Sequence, residues 1–268
     1  MCFEKAVFFD IEQVLALITR SLQEKRPFSM IRLSEAPNLI LAQETIYPLE
    51  ELMKFKYVRR YNARKETGFV FPNLEARDLM AKELRFATIV GILPYNDDRI
   101  ASSHWMKRPL TDQVLKFYDF KPELICDACI NREMPARTEF WQVLSNKRVL
   151  LISAWADLFA RVLMSKKFSG FNIKIAGKIP MFHYKDICRV VGGVKEYDFD
   201  CILMTCGVNA NIIGPAIAHK YNTVVVNLGK SMRFIVENKT GPGMPPYYLG
   251  RAANSKYIFL KGEKNNAV

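Results

Sequence analysis

Two nucleotide fingerprints are missing from this chain. Neither G-x-G-x-x-G nor G-x-x-x-x-G-K-[ST] occurs, so no glycine-rich dinucleotide turn and no P-loop cradle is written into it. No apolar run approaches the roughly 20 residues that cross a bilayer, so no transmembrane segment is expected. The opening residues carry Glu4, Asp10 and Glu12 rather than the basic-then-apolar layout of a signal peptide, which points to a cytoplasmic protein. Histidine is scarce. His104, His183 and His219 share no triad or metal spacing. His219 falls within an apolar helical pattern and reads as structural, whereas His104 sits beside Trp105 in a long loop.

Cysteine is present without a framework. Six residues, Cys2, Cys126, Cys129, Cys188, Cys201 and Cys206, are too few and too scattered for a disulfide ladder in a domain of this size. Cys126 and Cys129 form a C-x-x-C, but no second pair or close histidine completes a zinc site. Buried free thiols are the expectation.

Acidic charge is also in deficit. With 39 Lys and Arg against 27 Asp and Glu, the formal charge is +12, which favours anionic company. The cations are dispersed through 24-EKR, 54-KFKYVRR, 166-KK and 261-KGEK, and no helix shows a continuous basic stripe. Nucleic acid is therefore not the expected partner, and a soluble basic surface is the plain explanation.

What is present is alternation. Residues 147–154 (KRVLLISA), 171–177 (FNIKIAG), 199–207 (FDCILMTCG) and 222–229 (NTVVVNLG) read as strands. Helical stretches at 155–168, 184–194 and 210–221 separate them. Upstream, a helix over 10–25 leads into a strand at 28–33 and a helix over 35–44. Further helices near 48–57 and 73–86 precede a strand at 87–93. This pattern specifies an α/β protein: a single Rossmann-like domain with a mainly parallel sheet and helices on both faces. The domain is expected to span residues 1–238, with 239–268 as a C-terminal tail. The long loop at 94–108 is of the kind that usually carries function.

Ligands of open parallel sheets bind outside the carboxyl ends of the strands. Three segments occupy that position: 34-SEAP-37, 205-TCGVNAN-211 and 227-NLGKSMR-233. A purely structural explanation is available for the first, with Ser34 capping a helix and Glu35 complementing its positive end. In the second, Gly207 allows a tight turn, and Asn209 and Asn211 can cap a helix or bind ligand hydroxyls. In the third, Lys230 and Arg233 place positive charge at the sheet edge. Convergence of the three would make a site of them.

Together the strand–turn–acidic helix start, KRVLLIS and DCILMTCGVNANIIGPAIAHKYNTVVVNLGK resemble the GT-D-type glycosyltransferase fold, over about residues 10 to 235. They also resemble related, mostly unassigned proteins of spore-forming bacteria. The resemblance implies transfer of a hexose from a nucleotide-sugar donor to a hydroxyl of a glycan, glycoprotein or cell-envelope acceptor. The family pattern Arg-x-Gly-Asp-Gly-Glu, whose acid pair helps hold a divalent metal and the donor diphosphate, corresponds here to Arg32, Ser34, Glu35, Ala36 and Pro37. The second carboxylate is missing. The family's Asp-x-Gly-His corresponds to Asn227, Gly229 and Lys230, and Arg132 in 131-NREMP-135 matches an arginine segment.

By this resemblance Glu35 and Lys230 are the catalytic candidates. Arg32, Ser34, Arg132, Gly207, Asn209, Asn211, Asn227 and Gly229 are the donor-binding candidates, and Glu35 is the one remaining metal ligand for Mn or Mg. With an acid lost at each of two positions, the metal is doubtful, and Lys230, Arg32 and Arg132 could neutralise a leaving diphosphate instead. The alternative is a catalytically inactive GT-D-like protein serving as a glycan-binding or protein assembly module. Self-association is left open. A methyltransferase or reductase of similar architecture is disfavoured by the missing glycine fingerprint.

Overall fold

The computed structural model describes residue 3, residues 5–64 and residues 68–247. Cys2, the stretch 261-KGEK and the remainder of the tail beyond residue 247 lie outside the described residues.

Eight strands form one sheet: β1 (Val7–Phe9), β2 (Phe28–Arg32), β3 (Ile89–Ile92), β4 (Leu124–Asp127), β5 (Arg148–Ser153), β6 (Lys174–Ile179), β7 (Cys201–Thr205) and β8 (Val224–Asn227). Their spatial order is β1-β4-β3-β2-β8-β7-β5-β6, and every pairing is parallel. Among the described residues the α-helices are α1 (Ile11–Glu24), α2 (Glu35–Leu41), α3 (Leu49–Leu52), α4 (Lys56–Asn62), α5 (Leu74–Leu84), α6 (Arg108–Phe117), α7 (Ile130–Glu133), α8 (Thr138–Val143), α9 (Ala156–Leu163), α10 (Ile187–Gly193), α11 (Ala210–Tyr221) and α12 (Ser231–Val236).

Two apolar cores sandwich the sheet, and the side-chain alternation of a strand divides each apolar run between them. In β5, Leu150 and Ile152 enter the core shared with α2, α5, α10 and α11. Val149 and Leu151 enter the opposite core, with α1, α8, α9 and α12. Continuous apolar runs rather than alternating ones are what such doubly covered strands require.

This layering fixes where a ligand can sit. The chain leaves β2 into α2, on one face of the sheet. It leaves the neighbouring β8 into α12, on the other. Adjacent strands whose outgoing connections part to opposite faces open a crevice between them.

Several expected elements shift or divide. The helix expected over 48–57 is broken into α3 and α4, with Pro48 and Phe55 in extended conformation just before each. The strand expected at 171–177 lies at Lys174–Ile179, because Asn172 adopts a left-handed conformation that ends the preceding turn. Strands β1 and β4 and helices α6 and α12 add to the expected set. The first nine residues of the tail pack on the body: Thr240 is buried, the Gly243 amide donates to Ala136 O at 3.0 Å, and Tyr247 meets Phe234 edge-on.

The expectation of buried free thiols holds at four of the described cysteines and fails at Cys188, which is free but exposed. Cys126, Cys129, Cys201 and Cys206 are buried and free. Cys126 faces Met30 in one core, whereas Cys129 joins Leu93, Ile100 and Ala128 in a separate small cluster. Burial pushes the Cys129 thiol up to about 11. His219 stacks on Phe86, with ring centroids 4.3 Å apart.

Candidate active site

The crevice is built from four strand ends. At β2, Arg32 is locked to the start of α11 in both directions. Its amide donates to Asn211 Oδ1 at 3.1 Å, and its carbonyl accepts from Asn211 Nδ2 at 2.9 Å. Asn211 thus spends both ends of its amide on the β2 backbone and serves as a latch. The Arg32 side chain reaches across the neighbouring strand ends, donating from Nε to Ala128 O at 2.8 Å. Its Nη2 is buried without a hydrogen-bond partner.

Ser34 stands at the N-cap position of α2 but makes no capping side-chain bond, so the plain structural explanation of this serine fails. Glu35 begins the helix, with Oε2 buried and unpartnered. Buried polar atoms are nearly always paired, and one left over at a strand end calls for an explanation.

At β8, the turn is shaped from within. Asn227 Oδ1 accepts from the Gly229 amide at 2.9 Å, and Thr205 Oγ1 donates to Gly229 O at 2.8 Å. Gly229 takes φ +52, and a Cβ there would collide with Asn131 Nδ2. Asn227 is therefore the turn's own fastening. At β7, Gly207 turns with φ +57. Asn209 is buried, donates from Nδ2 to Gly68 O at 3.3 Å, and leaves Oδ1 unpartnered. Asn131, at the start of α7 after β4, also leaves Oδ1 unpartnered, while its carbonyl accepts from Ser231 Oγ at 3.0 Å.

The charges converge. Lys230 is exposed, and its ammonium is held below the ordinary lysine range. The causes are desolvation first, then repulsion from Arg132, opposed by Glu35, with Arg32 and Arg64 adding to the repulsion. Tyr57 on α4 feels the same group. Its hydroxyl is pushed above the usual tyrosine range by burial and then by Glu35 and Tyr61, against Arg32 and Arg64. The structure thus gathers Arg32, Glu35, Arg132 and Lys230 at the β2–β8 crevice, with Asn209, Gly207 and Gly229 on its turns. It directs Asn211 and Asn227 into the scaffold.

Tyr57, Arg64 and Asn131 escaped the sequence reading. The mixed run 54-KFKYVRRYNARK was a usable signal for the first two. Only the fold could bring Asn131 against Gly229.

The donor set does not fit a divalent metal. Such an ion bound with a diphosphate usually keeps one or two carboxylates. Here Glu35 stands among Arg32, Arg64, Arg132 and Lys230, and no second acid follows it in 36-APN-38. Among the described residues, no three His, Cys, Asp or Glu side chains come together as metal ligands.

A parallel α/β sandwich with a charge-lined crevice at its switch point is the class of protein that fold and site define. A family model described as a GT-D fold-like domain matches residues 9–235. The chain belongs to this GT-D-like family, and its fold is of the glycosyltransferase type. No curated protein matches the chain by sequence. A solved structure of unliganded arylmalonate decarboxylase shows a slight likeness, with 12% identity, 65% of this chain and 78% of that chain covered, and a TM-score of 0.25. Among the described residues no helix is long and apolar enough to cross a membrane.

Proposed function

We propose that the protein transfers a hexosyl group from a nucleotide-sugar donor to an acceptor hydroxyl. The observation that carries this reading is the meeting of Glu35 with Arg32, Arg132 and Lys230 at the β2–β8 switch point of a GT-D-like domain. The donor's C1–O bond to phosphate breaks with its electron pair leaving on the diphosphate, and Lys230, Arg32 and Arg132 neutralise that charge. The acceptor oxygen bonds to C1, and its proton passes to the Glu35 carboxylate. Asn209 and Asn131 offer unpartnered carbonyl oxygens suited to sugar hydroxyls.

A specific observation favours a second reading. The lone carboxylate, with Pro37 and Asn227 at the family's acidic positions, fits a relative that binds a glycan or a protein partner without turnover.

Release of nucleoside diphosphate from a panel of nucleotide sugars, with and without candidate acceptors, separates the two. Transfer is expected, and Glu35→Gln should lower turnover by about 100-fold or more while donor binding persists. Donor binding without turnover in the parent protein would favour the binding module, and no donor binding at all would remove both the transferase reading and its site.

A further inference from the structure

Resting on the transferase reading, we propose that the crevice holds the donor diphosphate with protein cations alone, Arg64 of the α4 arm among them, in place of the divalent metal that the family pattern implies. Arg32 ends β2, Arg132 lies in α7 after β4, and Lys230 stands just before α12; there Lys230 feels Arg132, Arg32 and Arg64 as like charges and Glu35 as an opposite one. A divalent cation entering that field is repelled. An anion is drawn in, since both phosphates of the donor are ionised near neutrality and the leaving nucleoside diphosphate ends in a phosphate of about two negative charges. The chemistry of the binding groups agrees with the field: guanidinium groups form paired, charge-assisted hydrogen bonds to phosphate oxygens, and Arg32 still has a buried Nη2 with no hydrogen-bond partner.

Arg64 belongs to this set by virtue of how α4 ends. Asn62 Nδ2 donates to Phe71 O at 2.7 Å, and the Phe71 amide donates back to Asn62 Oδ1 at 2.8 Å. Tyr61 packs edge-on against Phe69 and Phe71. The chain is thereby anchored two residues before Arg64. Gly68 O then accepts from both Asn209 Nδ2 and the Tyr184 amide, which ties the arm to the β7 turn across the sheet edge. The arm carries its cation to the crevice from outside the sheet, a position no strand end could supply.

Calorimetric titration of the full chain with inorganic pyrophosphate, once with a chelator and once with excess magnesium, tests this. Binding is expected in the chelator at an affinity matching that in magnesium, weakening as sodium chloride rises. Arg64→Met and Lys230→Met should each weaken it about tenfold, while thermal unfolding of the exposed Arg64 variant stays that of the parent. Pyrophosphate binding that requires magnesium overturns the proposal, as does undiminished binding by both variants. The two levels of inference fail separately. Metal-free pyrophosphate binding with no turnover of any nucleotide sugar removes the transferase reading and leaves the clamp standing. Turnover that stops on chelation does the reverse.

Discussion

Gly229 shows how tightly single residues are fitted at the crevice. Its φ of +52 lies where side chains are strained, and Asn131 Nδ2 fills the space a Cβ would take. Gly229→Ala should therefore cost about 1–2 kcal/mol from the backbone conformation, with a further loss from displacing Asn131. Urea unfolding of the single variants and of the Gly229→Ala, Asn131→Ala pair measures this. The second substitution is expected to recover the part due to the collision, whereas strict additivity would mean the two residues do not press on one another. Neighbouring residues in sequence were legible in type but not in use. Asn209 and Asn211 look alike on paper, yet Asn211 closes a reciprocal pair with the Arg32 backbone while Asn209 keeps a buried side-chain carbonyl without a partner. That difference depends on the angle at which α11 enters, which no local pattern encodes.

Among the elements, the loop at residues 94–108 is braced from within. Arg99 lies buried between Asp97, at 2.8 Å from Nε, and Asp127 at the end of β4, with bonds of 2.5 and 2.9 Å. Lys107 Nζ donates to Asp97 O at 2.6 Å, and Asn38 of α2 donates to the carbonyls of Met106 and Lys107. Asp127 Oδ1 also accepts from the Cys129 amide at 2.8 Å, so the same network shapes the turn whose Ala128 carbonyl holds Arg32. Arg99→Met takes this cation from Asp127 and leaves Asp97 with Lys107, 3.5 Å away, and should destabilise the protein by roughly 3–5 kcal/mol. Denaturant unfolding measures it, and a loss within the roughly 1 kcal/mol of an exposed pair would contradict the buried network.

The sequence marked this loop as long and unusual without disclosing that it is an internal brace, because the pairing of Arg99 with Asp127 spans a helix and a strand. The apolar runs of β5, β7 and β8 were legible because burial on both faces leaves no polar alternation. β1 and β4 were not, since β1 is three partly exposed residues and β4 buries only its two middle ones.

At the scale of the whole molecule, topology brings remote segments to one place. β2 and β8 pair at the centre of the sheet, although nearly 200 residues separate Phe28 and Ser29 from their partners Val224 and Val225. Their outgoing helices part to opposite faces. Part of the chain's cationic excess, +12, gathers at this junction, where Arg32, Arg64 and Arg132 act on Lys230 together with Glu35. A crystal structure of the protein soaked with nucleoside diphosphate tests this most directly. Both phosphates should lie in the β2–β8 crevice, in contact with Lys230 and at least one of Arg32, Arg64 and Arg132, beside Glu35. Phosphates bound elsewhere on the molecule, or a crevice closed by those same side chains while the ligand is held in solution, would contradict it.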